Sequence, residues 1–304
     1  MWGIKVVWKA FRQTIIFLFV IIVFLLILLL PKEMEVTHIS GLKYKADFPF
    51  ELTIYMENIT EFISYFREEK GFGTTPGGVP LAEEMFRFLK RSLKIIIPAF
   101  LLSMTIGTLI GMSLFYFRKT RLARLLSFFS WTFTSIPDFF LFISVQYLII
   151  IAMRYGLPSF HMYSSDDWYS FILPCICLSI FPLFHMVKVT IVSMENEVGE
   201  EYVRTAISKG MTDRRVMEHM FWNGWSTIVN QSQMVMLYII SSLPIIEKLS
   251  NYKGAGYQLL VSIFSYDHVR SLLLFLPFLI LMFFVVIVAQ FAREWFLPKD
   301  VDKA

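Results

Sequence analysis

Charged residues are scarce in this sequence. Asp, Glu, Lys and Arg make up 17% of its 304 residues, whereas 56% are hydrophobic and 32 are Phe. A soluble domain carries charge on about a quarter of its residues, so this composition excludes an ordinary soluble fold. The net charge of +4 is interpreted as an excess of Lys and Arg in the cytoplasmic loops of a membrane protein. It is not interpreted as a surface that binds nucleic acid.

Cysteines and the common chemical motifs are few or missing. Cys175 and Cys177 are two positions apart in one apolar block, so on a helix they point to different faces and are predicted to pack as reduced thiols. The sequence has no G-x-x-x-x-G-K-[ST] phosphate loop, and its five histidines are scattered without metal-ligand spacing. We therefore expect no catalytic site, metal site or nucleotide site in this chain.

Long apolar runs are abundant instead. A helix that crosses a bilayer needs about 20 apolar residues, and six blocks approach or exceed that length. They are residues 13–30, 95–117, 125–153 (broken by Pro137-Asp138), 168–187, 220–246 and 271–292. The first block ends in Leu-Leu-Leu-Pro-Lys rather than at a small-residue cleavage site, so it is predicted to be a retained helix. The pattern predicts an all-α integral membrane protein with six transmembrane helices.

Basic residues in the short loops predict the orientation of these helices. Three basic residues precede the first block and four lie in the loop 118–124, in both cases without an acidic residue. The loop before the fourth block has only Arg154, beside two aspartates. Both termini and residues 195–219 are therefore expected in the cytoplasm, and residues 32–94 outside it.

The predicted organisation has four parts. They are 1–31, the N-terminus and first helix; 32–94, an external segment; 95–298, the core with five helices; and 299–304, a cytoplasmic tail. The external segment contains many aromatics and is expected to form amphipathic helices. A breaker run at 71–78 predicts a loop, followed by a helix from about Leu81 that leads into the second transmembrane helix.

The most polar run between membrane helices covers residues 201–216. Residues Glu197 to Lys209 are predicted to form a helix that Gly210 ends with a left-handed cap. Thr212 or Asp213 then starts a second helix. The result is a helix–turn–helix elbow on the cytoplasmic face, and a plain solvated loop is the alternative.

Several polar or small residues fall inside the apolar blocks. Asp138 either lines a solute pathway or hydrogen-bonds at the helix break beside Pro137. Asn230, Gln231 and Gln233 either line that pathway or hydrogen-bond between helices. Ser103, Gly107 and Gly111, four residues apart, predict close helix packing within the chain or against a partner. Lys188, on the same helical face as His185, is expected to extend to the membrane surface.

The run from Tyr202 to Gly210, Tyr-Val-Arg-Thr-Ala-x-x-Lys-Gly, resembles the EAA-type coupling motif of binding-protein-dependent ABC permeases. It is most similar to the B-type subunit of oligopeptide and dipeptide importers. Further similarities, over roughly residues 68–298, are Gly71-x-Gly73-Thr74, Ser135-Ile136-Pro137, Leu173-Pro174, Glu247, Gly254-Ala255-Gly256 and Tyr266-Asp267.

The motif's glycine falls on Gly210, its second alanine on Ala206 and its leading position on Arg204. Three departures stand beside these matches. No Leu-Pro follows the motif, Asp138 replaces a small polar residue, and residues 32–67 match nothing in the family.

The resemblance implies a type I ABC importer permease fold and a role as a half-transporter for peptides or a related small solute. Its implied partners are a second homologous permease, two ABC ATPases that bind ATP and Mg²⁺, an external substrate-binding protein and membrane lipid. The implied ATPase-coupling residues are Glu201, Tyr202, Arg204, Thr205, Ala206 and Gly210. Nickel, a metallophore or an oligosaccharide is an alternative solute, and a membrane sensor or assembly protein is an alternative class.

The predicted orientation can be tested with single cysteines and a membrane-impermeant maleimide. In intact cells, Ser40→Cys and Ser265→Cys should be labelled, whereas Ser208→Cys should be labelled only after permeabilisation. Labelling of Ser208→Cys together with protection of Ser40→Cys would contradict the orientation.

Overall fold

The structure is a computed structural model that describes residues 2–31, 35–40, 43–47, 51–69, 71–75, 77–156 and 167–296. Within these ranges it has eleven helices and one β-hairpin. The elements are α1 (Trp2–Leu28), β1 (Glu35–Ser40), β2 (Lys43–Asp47), α2 (Leu52–Glu69), α3 (Leu81–Tyr116), α4 (Arg121–Phe133), α5 (Asp138–Arg154), α6 (Ile172–Glu197), α7 (Glu201–Ser208), α8 (Asp213–Asn230), α9 (Ser232–Leu249), α10 (Ala255–Phe264) and α11 (His268–Phe296). The predicted tail 299–304 lies outside the described residues.

Five stretches of helix in the described ranges are long and apolar enough to cross a membrane. They are Phe11–Leu28, Leu81–Tyr116, Ile172–Glu197, Asp213–Leu249 and His268–Arg293. Each contains most of one predicted apolar block, so a mostly helical membrane fold is confirmed with five of the six predicted spans, and the block 125–153 is the one without a counterpart among them. The helix expected from about Leu81 is also confirmed, because it continues unbroken into the second span as α3.

The third predicted block differs from a single helix, because it divides into α4 and α5. Pro137 lacks a backbone N–H and disfavours helical geometry at the residue before it, and residues 134–137 form a turn there. Asp138 begins α5, whose 17 residues lie at the lower end of the roughly 17–25 that span a bilayer.

The chain forms two compact units, the first comprising Met1–Arg87 and Gln258–Leu279. In this unit α2 is tied to the end of α1: Tyr55 Oη donates to the Leu26 carbonyl at 3.0 Å, and Asn58 Nδ2 donates to the Leu29 carbonyl at 3.2 Å. Both acceptors are C-terminal carbonyls that a helix leaves without intrahelical partners. The segment before α2 forms the antiparallel pair β1–β2 rather than one of the amphipathic helices expected in the external segment.

The second unit comprises Phe88–Tyr257 and Ile280–Ala304, and α3 packs closely on α6 within it. A Cβ on Gly107 would lie 2.7 Å from the Leu183 carbonyl oxygen, and one on Gly111 would lie 2.6 Å from Thr190 Cβ. Ser103 Oγ is 3.2 Å from the Ser179 carbonyl oxygen. The predicted close packing of these small residues is confirmed and lies within the chain.

A buried carboxylate joins three segments of the same unit. Glu247 is fully buried at the end of α9; Ser92 Oγ donates to its Oε1 at 2.6 Å, and the Tyr257 N–H donates to its Oε2 at 2.7 Å. The Ala255 N–H in turn donates to Ser92 Oγ at 2.7 Å. A Cβ on Gly254 would overlap the Glu247 carboxylate and lie 2.5 Å from Ser92 Oγ. This network therefore needs glycine at position 254.

Gly254→Ala should lower the Tm of the purified chain in detergent, because its methyl group has to displace the Glu247–Ser92 pair. Overpacking of this kind costs about 1–3 kcal/mol. Gly199→Ala is the matched control, since a Cβ there meets no atom within 4 Å. Equal Tm values for the two variants would show that the network does not constrain Gly254.

Candidate functional site

The predicted elbow is present as α7, the turn after it and the start of α8. Its first helix is shorter than the expected Glu197–Lys209, because α6 continues to Glu197 and the chain then turns through residues 198–200. Glu200 is extended, with φ −69° and ψ 146°, so α7 begins only at Glu201. The elbow therefore follows α6 directly.

Gly210 ends α7 in the left-handed conformation, as predicted, with a φ of +75°. The Gly210 N–H donates to the Ile207 carbonyl at 2.9 Å, and the Met211 N–H donates to the Ala206 carbonyl at 3.2 Å. This pair of bonds is a Schellman motif, which favours glycine at the left-handed position. Asp213 begins α8, in agreement with the predicted second helix.

The inner face of the elbow packs against the chain itself. The elbow core, as we name it, comprises the buried residues Phe115, Met194, Val203, Ala206, Val216 and Met220. Ala206 is only 9% exposed. The resemblance implies a role for Ala206 in ATPase coupling, and in this chain it packs against neighbouring helices because it follows Val203 by three residues on one side of α7. Its small size therefore serves packing within the chain.

Tyr202 fixes α7 to its neighbours through its hydroxyl. Tyr202 Oη donates to Glu197 Oε2 at 2.5 Å, and it also hydrogen-bonds to the Asn223 side chain. Burial, with a smaller contribution from the Glu197 bond, raises the pKa of Tyr202 to about 12. The phenol therefore stays protonated at physiological pH and remains a hydrogen-bond donor.

The outer face of the elbow is exposed, and it includes one residue that the sequence analysis missed. Exposed positions are Glu201, Arg204, Thr205, Ile207, Ser208, Lys209 and Gly210. Ile207 is 61% exposed, although it follows Val203 by four residues and helical periodicity would place it on the buried side. The outer face therefore combines charged groups with one large apolar side chain.

A second group of polar side chains lies on α6, on α9 and the residue before it, and at the break between α4 and α5. We name it the polar strip: Thr134, Asp138, His185, Lys188, Gln231 and Ser242. Ser242 Oγ donates to Asp138 Oδ2, and His185 Nε2 is 3.2 Å from Gln231 Oε1. Of the other predicted pathway residues, Asn230 is exposed and Gln233 half-buried, and the contacts described for the strip include neither.

Lys188 contacts the rest of the polar strip through a hydrogen bond to Thr134. Lys188 Nζ donates to Thr134 Oγ1 at 2.6 Å, so the side chain extends to the α4–α5 break. The rings of Phe133 and Phe184 stack beside this contact, with centroids 5.2 Å apart and planes 4° from parallel. That stack holds the break against α6 and so positions Thr134.

Ala206→Trp should destabilise the isolated chain, because the larger side chain has no space in the elbow core. Overpacking costs typically about 1–3 kcal/mol and should appear as a lower Tm in detergent. Thr205→Trp is the matched control, since Thr205 is the adjacent exposed residue. If both variants had the same Tm, Ala206 would not be part of a packed core.

Comparison with known proteins gives the family. Residues 103–299 match the family described as binding-protein-dependent transport system inner membrane component. A putative peptide transport system permease protein of Brucella abortus is 24% identical over 207 residues, or 66% of each chain. A glutathione transport system permease protein of Salmonella typhimurium is 24% identical over 190 residues, which are 62% of this chain and 61% of that protein. This chain thus spans just under two thirds of these relatives' lengths.

Among solved structures, inward-facing conformations of the MetNI methionine ABC transporter share the fold. The TM-score is 0.57 at 12% sequence identity, and the match covers 70% of this chain and 96% of that one. The family match covers well over half of the sequence and contains both the elbow and the polar strip. The chain is a multi-pass membrane protein and belongs to the binding-protein-dependent transport system inner membrane components.

Proposed function

We propose that this chain is one of two homologous permease subunits of an ATP-driven importer in a bacterial cell membrane. Two ATPase subunits bind ATP and Mg²⁺ below it, and a substrate-binding protein delivers the solute from outside. The peptide and glutathione systems named for its relatives support a short peptide or a related small solute as cargo. The basic short loops support a cytoplasmic elbow.

The observation that carries this proposal is the division of the elbow into two faces. Its inner face is anchored by Phe115 of α3, Met194 of α6 and Val216 of α8. Its outer face leaves Arg204 and Ile207 exposed. A surface fixed to three helices transmits the displacement of a partner to all three as a rigid body. We assign the outer face to the ATPase contact.

Within this contact each group has a distinct role. Arg204 offers a guanidinium for charge-assisted hydrogen bonds, and Ile207 offers apolar area for a pocket on the partner. Gly210 sets the angle at which α8 leaves the elbow. Ala206 and Tyr202 act indirectly, because they hold α7 on the elbow core.

Ile207→Asp should release the ATPase subunits, because it places an unpaired charge in the centre of the proposed contact. Gly210→Val should have the same effect, since a residue with a Cβ in the left-handed region costs about 1–2 kcal/mol and shifts the turn. The measurement is co-purification of the ATPases, followed by ATP hydrolysis in liposomes with and without binding protein.

Ser265→Asp serves as the control, since Ser265 is exposed but lies after α10, far along the chain from the elbow. The Tm of the Ile207→Asp and Ser265→Asp chains should match that of the unsubstituted protein, and Gly210→Val should lower it by a few degrees without unfolding the chain. A solvated loop without a partner would tolerate both substitutions, because changes at such a surface usually alter stability by no more than about 0.5 kcal/mol. Normal assembly and normal stimulation of ATP hydrolysis in both elbow variants would therefore refute the coupling role.

A further inference from the structure

Lys188 lies within a helix that is long and apolar enough to cross a membrane. The span Ile172–Glu197 has its next charged residue after Lys188 at Glu195, seven positions on. At about 1.5 Å per residue this is about 10 Å along the helix. Before Lys188, α6 contains no Asp, Glu, Lys or Arg back to its start at Ile172. Charged residues at such a depth face the bundle interior or a water-filled cavity rather than lipid.

The ammonium group of Lys188 contacts a hydroxyl rather than an acid. Thr134 Oγ1 accepts its hydrogen bond and directs its own hydrogen to the backbone, with the Trp131 carbonyl at 2.9 Å. The carboxylate at the same break, Asp138, accepts from Ser242 on α9. Among the described residues, no carboxylate lies within 4 Å of Lys188 as an ion-pair partner. The ammonium group of Lys188 can therefore form an ion pair with a group from outside the described residues.

The surroundings of Lys188 suit an anion. His185 lies one turn earlier on α6; its Nε2 contacts Gln231 Oε1, and its ring lies 5.6 Å from that of Tyr238, centroid to centroid. Lys188, His185, Gln231 and Tyr238 are all half-buried, so part of each side chain remains accessible in this chain. An ammonium beside an imidazole and an amide offers the donors that a carboxylate needs.

We propose that Lys188, with His185 beside it, binds a carboxylate of the transported solute during its passage. This inference rests on the proposed function, and it narrows the cargo to peptides with a free carboxylate. Lys188 supplies the charge, His185 and Gln231 supply further polar contacts, and Thr134 positions the ammonium while no solute is present.

The test places a reporter thiol beside the ammonium. Thr134→Cys is made in the complete importer in liposomes, alone and together with Lys188→Gln or Lys188→Arg. The thiol is then modified with an anionic and with a cationic methanethiosulfonate. The native Cys175 and Cys177 are 4% and 2% exposed, so the unsubstituted chain gives the background rate. The rate ratio of the two reagents reports the local potential, since a change in thiol reactivity affects both reagents equally.

We expect Lys188→Gln to lower the anionic-to-cationic rate ratio about tenfold, because a charged cleft concentrates counter-ions by that order or more. Lys188→Arg should preserve the ratio. An equimolar mixture of tripeptides with free carboxyl termini should slow the modification when Lys188 is present. The same tripeptides as C-terminal amides, or sulfate at equal ionic strength, should not slow it.

An unreactive thiol, an unchanged ratio in Lys188→Gln, or equal protection by acids, amides and sulfate would overturn the carboxylate site. The same holds if the tripeptide acids give no protection. Failure of the proposed function is seen separately, as loss of ATPase co-purification with the unsubstituted chain.

Discussion

The constraint on which this structure depends is the absence of water inside a bilayer. A peptide group there has to be bonded within its own helix or by nearby side chains. At the α4–α5 break, where Pro137 interrupts the helix, the hydroxyls of Thr134 and Ser135 bond back to the Trp131 carbonyl. The break also presents Thr134 to Lys188 of α6 and Asp138 to Ser242 of α9. The polar strip thus forms where the apolar run of α4 and α5 is interrupted, because an interruption needs polar groups to stabilise it.

Much of the architecture could be predicted from the sequence, because it depends on local signals. The apolar blocks locate the spans through their length alone. Pro137 marks the α4–α5 break, and Gly210 marks the end of α7 because few other residues accept a φ of +75°. The close approach of Gly107 and Gly111 to α6 also follows from their spacing. In each of these cases a few neighbouring residues contain the whole physical cause.

The faces of the elbow and the partners in the polar strip could not be predicted in the same way. Helical periodicity places Val203, Ala206 and Ile207 on one side, but the elbow core receives only the first two. Its boundary is set by Phe115, Val216 and other residues from three helices. The partners of Asp138 and Lys188 are likewise 104 and 54 positions away in sequence. Such pairings arise from the packing of helices that are distant in sequence, so they cannot be predicted from a single sequence.

The two faces of α7 also bear on how such importers diverge. The inward positions, among them Val203 and Ala206, are constrained by helices of the same gene product, so compensating changes have to occur within one gene. In the proposed ATPase contact, the outward positions Arg204 and Ile207 face another gene product and can change in step with its gene. With that contact, exchange of an ATPase between sister importers after a duplication would require few substitutions, confined to one side of an eight-residue helix.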